Sequence, residues 1–366
     1  MKQISLLIKP ASSLCNLRCR YCFYSDVTHN RKEESMGIMN EEVMHALIER
    51  TMETDAEQIH YCFQGGEPCM AGIEYFRKFI ACVNEKNNGK KVTYSIQTNG
   101  TLLDQNWVKM FQENHFLVGI SIDGFMRNHD YFRKDANGKG TWKKILYNLR
   151  MLNNAGISYN ILTVLTHELS LKPEELFQFI LKNHFEYVQL IPCLPSLKGD
   201  EPTDRFALKP HDFANFYKKF FDLWYEEYQK GHYISVSMFD NVIPMYAGIR
   251  PEQCGMLGKC AMQTVVEGNG NIYPCDFYVL DEYCCGNVKK DSIEFSMHHN
   301  HVMNFLNEKR RTCRKCTSCK FLNMCHGNCR RLNVCYFDED YCGYQEFLEY
   351  SMSKMRRIVL SMIHRL

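Results

Sequence analysis

Three cysteines close to the N-terminus stand in the run Cys15-Asn16-Leu17-Arg18-Cys19-Arg20-Tyr21-Cys22, spaced CxxxCxxC. Cysteine thiolates are the usual protein ligands of iron-sulfur clusters. Three of them are one too few for the four irons of a cubane, so one iron stays open to another ligand. Phe23 and Tyr24 follow directly and would shield such a cluster and border whatever its open iron binds. Zinc or buried thiols are the competing use of this spacing. Zinc is normally closed by four ligands, and no histidine lies near enough in sequence to be an obvious fourth.

A second cysteine-rich region lies far downstream. The chain has 19 cysteines, and after four scattered ones (Cys62, Cys69, Cys82, Cys193) the remaining twelve crowd between Cys254 and Cys342. Cys260 is followed after fourteen residues by Cys275, and Cys316-x2-Cys319-x5-Cys325-x3-Cys329 runs on to Cys342. No export signal precedes them, and a reducing cytosol keeps thiols free, so this abundance points to metal or redox chemistry rather than disulfides. The CxxC element alone also permits zinc ribbons. Cys313 makes a competing CxxC with Cys316, so the ligand register there could slip by one cysteine. Cys284, Cys285, Cys313 and Cys335 are left over, and buried free thiols are the simplest account of them.

The elements that must position these residues alternate between strand and helix. β-branched and aromatic runs predict strands over Ile4–Lys9, Gln58–Phe63, Val92–Gln97, Phe116–Ser121, Ser158–Leu165 and Tyr187–Ile191. Amphipathic stretches predict helices over Asn40–Met52, Ile73–Asn87, Asp104–Asn114, Thr141–Ala155 and Lys172–Asn183, with Asn40 as an N-cap and Gly156 beyond a C-terminus. Strict alternation implies an α/β fold with a parallel sheet, and periodicity does not separate an open sheet from a partial barrel. Ligands bind at the carboxyl ends of such strands. The residues there are the cysteine loop, Gln64-Gly65-Gly66-Glu67-Pro68, Thr98-Asn99-Gly100, Ser121 and Asp123-Gly124, all on one rim. Two adjacent glycines let backbone approach a ligand with no Cβ in the way. Further on, Pro210–Lys230 predicts an aromatic-rich packing helix, Asp200–Ala207 a loop, and Tyr344–Leu366 an amphipathic helix.

CxxxCxxC with an aromatic before the last cysteine, after a first strand, resembles the radical S-adenosylmethionine (radical SAM) superfamily. The resemblance implies a partial (β/α)6 TIM-type barrel and S-adenosyl-L-methionine chelated to the open iron by its amino and carboxylate groups. It implies that Gly65-Gly66-Glu67 receives the methionyl ammonium, Ser121 the ribose and Arg133 the methionyl carboxylate, with Leu194 against the adenine and Tyr24 at the cofactor's border. The downstream spacing resembles the SPASM extension of radical enzymes that modify peptides, and Cys254 makes an eighth ligand. By this resemblance Cys254, Cys260, Cys275 and Cys329 hold one auxiliary cluster and Cys316, Cys319, Cys325 and Cys342 another. With Cys15, Cys19 and Cys22 that gives three 4Fe-4S clusters. Eight thiolates close the two auxiliary clusters completely, so neither binds substrate and both serve as electron carriers. The expected domains are 1–235 for the partial barrel, 236–345 for the SPASM region and 346–366 for a C-terminal helix.

Tyr273-Pro274-Cys275-Asp276-Phe277-Tyr278, with Ile8-Lys9-Pro10-Ala11-Ser12-Ser13, Gln97-Thr98-Asn99-Gly100-Thr101 and Leu223-Trp224-Tyr225-Glu226, narrows the resemblance to the anaerobic sulfatase-maturating enzymes. That implies a 5'-deoxyadenosyl radical that takes a Cβ hydrogen from a cysteine or serine in a sulfatase polypeptide, at a Cys/Ser-x-Pro-x-Arg motif, to give Cα-formylglycine. Asp276 would be the base, and an electron donor such as a flavodoxin or ferredoxin would serve the cluster. A thiol near 8.5 and an aspartate near 3.9 are mismatched by roughly 4 to 5 units, about 6 kcal/mol. Either burial raises Asp276, or the proton leaves only as the electron does; the second is favoured, with some burial added.

Composition sets outer limits. At 366 residues, 45% of them hydrophobic, the chain has room for a large core, and a net charge of +2 gives no basic stripe for nucleic acid. The apolar run Ile4–Ile8 ends at Lys9-Pro10, too short for a signal or a membrane span, so a cytoplasmic protein with no membrane and no nucleic-acid partner is expected. Two rival readings stay in view: SPASM-type thioether formation on a ribosomal peptide, and a non-enzymatic iron-sulfur or zinc protein.

Overall fold

The structure, a computed structural model, describes residues 2–199 and 201–363. Ten strands form among them: β1 (Gln3–Ile8), β2 (Gln58–Phe63), β3 (Lys91–Thr98), β4 (Leu117–Ser121), β5 (Tyr159–Leu165), β6 (Tyr187–Pro192), β7 (Ser235–Val236), β8 (Val265–Val266), β9 (Asn271–Tyr273) and β10 (Gly286–Asn287). The chain divides into two compact units. One comprises Met1–Ser121, Asp130–Tyr159 and Ala261–Glu308; the other comprises Ile122–His129, Asn160–Cys260 and Lys309–Leu366.

In the first unit β1 to β4 run parallel in sequence order, with Gln3 opposite Gln58 and Gln58 opposite Lys91. On its other edge β1 takes β8 as a parallel partner, and β9 and β10 follow antiparallel. A segment from late in the chain therefore completes the sheet begun by its first strand. The alternation of side chains sets the core: Ile4, Leu6 and Ile8 of β1 are buried, as are Ile59, Tyr61 and Phe63 of β2. The helix Ile73–Lys86 buries Phe76, Phe79, Ile80 and Val83, the i, i+3, i+4, i+7 stripe of an amphipathic helix. Phe76 and Phe79 meet Phe63 edge-on at 4.8 and 5.1 Å. Asn40 caps the helix Glu41–Met52 by accepting from the Val43 N–H, and Asp104 caps Gln105–Glu113 in the same way.

In the second unit β5, β6 and β7 are parallel neighbours. The helix Pro210–Gln229 buries Phe213, Phe216, Tyr217, Phe220, Phe221 and Trp224, and Trp224 donates its indole N–H to the Ile234 carbonyl at 2.7 Å. The helix Gly343–Ile363 lies against it, with Phe347 facing Tyr217 and Phe221. Truncating any one of these buried phenylalanines to alanine costs about 3–5 kcal/mol. The aromatic stripe of Pro210–Gln229 is thus packing, as its spacing suggests. The segment after Asp200 forms a turn of 3-10 helix over Pro202–Phe206. Asp200 itself, and the last three residues of the predicted C-terminal helix, lie outside the described residues. Among the described residues no helix is long and apolar enough to cross a membrane.

Candidate active site and cluster-binding cysteines

The three-cysteine loop leaves the carboxyl end of β1 and is strapped down by backbone. Arg18 N–H donates to the Lys134 carbonyl at 2.7 Å and Arg20 N–H to the Phe132 carbonyl at 3.0 Å, with Leu17 bridging Asp135. Cys22 caps the short helix Phe23–His29, its Sγ accepting from the Ser25 N–H at 3.4 Å. Cys15 Sγ accepts from the Leu17 N–H at 3.4 Å. Burial pushes the Cys15 thiol up to about 11; the Leu17 N–H opposes this, and the charges of Glu67 and Cys22 add to it. A thiol held this way must give up its proton to bind a metal. Three such thiols on one loop fit the donor set of a cubane with an open iron.

Gly65 and Gly66 sit under this loop. A Cβ on Gly66 would lie 2.3 Å from the Leu14 carbonyl oxygen and 2.7 Å from the Ser13 carbonyl carbon, and Gly65 adopts φ +133° with Ser12 and Lys9 about it. Gly66 N–H donates to the Ser12 carbonyl and Glu67 N–H to the Leu14 carbonyl, each at 2.8 Å. The Glu67 carboxylate is fully buried and accepts from the Thr98 hydroxyl (2.7 Å), the Asn99 N–H (2.7 Å) and the Cys69 N–H (3.0 Å). Burial raises its carboxyl above the ordinary range, and these donors oppose the rise. The carboxylate braces the loops after β2 and β3.

Arg133 is buried beside the cysteine loop, its guanidinium carbon 5.5 Å from the centre of the Tyr21 ring. Ser121 ends β4 and accepts from the Gln97 side-chain amide at 3.1 Å. Leu194 follows β6 in the second unit and is half-buried.

Asp276 lies on the turn after β9 and is 8% exposed. Lys9, at the end of β1, places Nζ 2.5 Å from Oδ1, and Gln64, at the end of β2, donates its amide to Oδ2 at 2.6 Å. The burial that the sequence argument invoked for this aspartate therefore comes with a paired ammonium. The backbone N–H of Asp276 donates to the Gln263 side chain at 3.1 Å. Phe277 packs edge-on against Phe23 with ring centres 5.3 Å apart, joining the residue after Asp276 to the residue after Cys22.

Behind Asp276 lies a buried charge network that sequence reasoning missed. The Tyr24 ring carries Lys9 Nζ 3.8 Å above its centre, and its hydroxyl donates to Glu267. Arg31 donates to Glu267 at 2.8 Å and to Ser12 Oγ at 3.3 Å. Burial alone would raise Glu267, but Lys9, Arg31 and the Tyr24 hydroxyl outweigh it and hold the carboxyl below its usual range. Burial and the Glu267 charge drive the Tyr24 phenol well up. Tyr24, read from sequence as bordering the cofactor, spends its hydroxyl here. Lys9 and Gln64 stood in the sequence as strand-end residues, but nothing local marks a pairing partner more than two hundred residues away.

The C-terminal cysteines separate into two sets. Cys316, Cys319, Cys325 and Cys342 line one cavity of the second unit, together with Phe321, Asn328 and Tyr344. Burial pushes the Cys342 thiol up to about 12, with Cys325, Cys313 and Cys316 adding to the rise. Cys313 is buried and lies outside the lining of this cavity. In the same unit Cys329 feels the charge of Cys260, and a Cβ on Gly255, next to Cys254, would stand 3.8 Å from the Cys329 Cβ. Cys275 belongs to the first unit. Cys285 donates its thiol to the Ile272 carbonyl at 3.2 Å and Cys335 to the Cys193 carbonyl at 3.5 Å, as buried free thiols do. Among the described residues no three His, Cys, Asp or Glu side chains converge on a point where one metal ion would sit. Four thiols around one cavity fit the donor set of a cubane.

Comparison with known proteins agrees with this arrangement. Residues 10–180 match the radical SAM superfamily and residues 254–320 an iron-sulfur cluster-binding domain, SPASM. The chain is 38% identical, over all of both sequences, to a cysteine-type anaerobic sulfatase-maturating enzyme of Clostridium novyi. It is 28% identical to a serine-type anaerobic sulfatase-maturating enzyme of Bacteroides thetaiotaomicron, over 90% of this chain and 83% of the relative. The solved structure of native anSMEcpe with bound AdoMet and Cp18Cys peptide superposes with a TM-score of 0.91 at 34% identity, over 98% of this chain and 99% of the other. The β/α alternation, open parallel sheet, N-terminal cysteine loop and C-terminal thiol sets are thus those of a known enzyme group, and the chain belongs to the anaerobic sulfatase-maturating enzymes of the radical SAM superfamily.

Proposed function

We propose that this enzyme oxidises a cysteine side chain in a sulfatase polypeptide to Cα-formylglycine, with S-adenosylmethionine and three 4Fe-4S clusters as cofactors. Preference for cysteine over serine follows the higher identity to the cysteine-type relative, 38% against 28%. When bound, the N-terminal cluster and S-adenosylmethionine supply a one-electron oxidant that removes a hydrogen atom from the substrate Cβ. Cys15, Cys19 and Cys22 hold that cluster on a loop fixed by Phe132–Asp135. Gly65 and Gly66 leave backbone open to the methionyl ammonium, Arg133 stands beside the loop for the carboxylate, and Ser121 stands at the end of β4 for the ribose; Leu194, after β6 in the second unit, is the residue that the family resemblance gives to the adenine.

Asp276 receives the thiol proton at its carboxylate. Lys9 and Gln64 aim its two oxygens, and Phe23 and Phe277 keep water from the loop that bears it. One electron remains on the substrate, and the eight C-terminal cysteines hold its acceptors. The substrate has then lost two protons and two electrons in all and is a thioaldehyde, which water converts to the aldehyde and hydrogen sulfide. The observation that carries this reading is the seating of Asp276 by the ends of β1 and β2, on the strand ends that bear the cysteine loop and Gly65-Gly66.

The test is incubation of reduced enzyme and S-adenosylmethionine with a peptide containing Cys-x-Pro-x-Arg, beside its serine counterpart. The cysteine peptide should show the mass loss of formylglycine and the serine peptide much less. Asp276→Asn should still release 5'-deoxyadenosine while making no formylglycine, and normal maturation by that variant would remove Asp276 from the base's role. A small acidic electron-transfer protein such as a flavodoxin or ferredoxin is the proposed reductant.

A further inference from the structure

The cavity lined by Cys316, Cys319, Cys325 and Cys342 also has two buried side-chain oxygens in its lining residues that have no partner. Tyr344 and Asn328 both line it, each 2% exposed. The Tyr344 hydroxyl and the Asn328 Oδ1 are buried and make no hydrogen bond to any described residue. Leaving such a group unpaired costs about 1–3 kcal/mol. The Tyr344 ring is held by aromatic neighbours, with Phe213 stacked at 5.8 Å and Tyr336 tilted at 5.6 Å, so the hydroxyl cannot swing out to water. Cys325 and Cys342 are the thiols within electrostatic reach of it. The Gln345 N–H already donates to Cys342 Sγ at 3.4 Å, which shows how the start of this helix turns donors toward sulfur.

A phenol hydroxyl is a donor at neutral pH. The acceptors a cluster presents are its thiolate and sulfide sulfurs, which become more negative on reduction. A donor aimed at them stabilises the reduced state and raises the potential. We propose that the Tyr344 hydroxyl donates a hydrogen bond to a sulfur of the 4Fe-4S cluster held by Cys316, Cys319, Cys325 and Cys342, raising that cluster's reduction potential and making it the better electron acceptor. This rests on the cluster assignment made above. Asn328 Oδ1, in the same cavity and also without a partner, is a rival acceptor for that proton.

The test uses the full-length, fully loaded enzyme and Tyr344→Phe, which keeps the ring. Iron and sulfide should stay at about twelve each per chain, four for each cubane. In a potentiometric titration followed by electron paramagnetic resonance, the reduction equilibrium of the auxiliary cluster should fall by about tenfold, about 59 mV for a one-electron couple. Besides the coupling of the Gln345 amide, a second exchangeable deuteron coupled to that cluster after transfer to heavy water should disappear in Tyr344→Phe and persist in Asn328→Gly, where glycine tolerates the left-handed φ of 54°. With full cluster content, an unchanged potential or retention of that second coupling in Tyr344→Phe overturns the hydrogen bond alone. Loss of the coupling in Asn328→Gly instead also overturns it. A wild-type enzyme with only about eight irons, and no cluster on these four cysteines, overturns both the hydrogen bond and the cluster assignment beneath it.

Discussion

Lys9 Nζ lies 2.5 Å from Asp276 Oδ1, an ion pair between residues 267 positions apart and both largely withdrawn from solvent. Burying a charge pair gains little on balance, whereas removing one partner is costly because the other stays behind unpaired. The pair is therefore better understood as a device for aiming a carboxylate than as a source of stability.

Lys9→Met and Gln64→Leu each leave the Asp276 carboxylate with one of its two side-chain donors. Hydrogen bonds to a charged group contribute about 1.5–3 kcal/mol. Formylglycine output should fall by roughly ten- to a hundredfold, while 5'-deoxyadenosine output stays within about twofold. The check is the ratio of the two products by liquid chromatography and mass spectrometry. Equal losses of both products would mean that the pair supports the cofactor site rather than the base.

Gly66→Ala should damage the N-terminal cluster selectively. The new methyl would meet backbone of the cysteine loop at 2.3 Å, and backbone cannot rotate away as a side chain can. The loop must move, and Cys15, one residue beyond Leu14, moves with it. Iron content should drop by about four atoms per chain with the auxiliary clusters retained.

Glu267→Gln tests the buried network behind Asp276. The folded protein holds this carboxyl below its ordinary value, so its contribution to stability is present above about pH 4.5 and is lost as the pH falls through the lowered value. The variant should lose about 3–5 kcal/mol at pH 7, because Arg31 and Lys9 lose a buried counter-charge. It should also show a flatter decline on acidification than the parent. Urea unfolding at pH 7, 5 and 4 measures both effects.

Much of this was legible in the sequence, and what was legible shares a physical cause. The strands β1 to β6 and the five predicted helices among them lie within a residue or two of the ranges that periodicity and caps predict, because each buries a full apolar stripe against the sheet. The two-residue strands β7 and β8 are set by pairing with β6 and β1 far from them in sequence, β9 and β10 by short antiparallel pairing beside β8, and runs so short carry no period. The helix Phe23–His29, seven residues long, is capped by Cys22 and buries only Tyr24, Val27 and Thr28, too short a stripe to show a period. In the site, the cysteines and the glycine pair announce themselves by spacing and residue type. Glu67 was read as part of a ligand-binding triplet, yet its carboxylate is consumed by Thr98, Asn99 and Cys69, partners fixed only by the register of β2 on β3. Lys9, Arg31 and Glu267 have the same origin, since a strand-end lysine becomes informative only when its carboxylate is known.

The pairing of β8 with β1 has a consequence for synthesis of the chain on the ribosome. Lys9 leaves the tunnel 267 residues ahead of Asp276, an interval of about 13–53 s at roughly 5–20 residues per second. Throughout it the first strand keeps an unpaired edge, and an ammonium destined for the interior waits without its anion. A nascent chain stalled before Ala261 thus holds every residue of the N-terminal cysteine loop but lacks the strand that closes the sheet beside it, which makes the last third of translation the step that commits the first third to its fold.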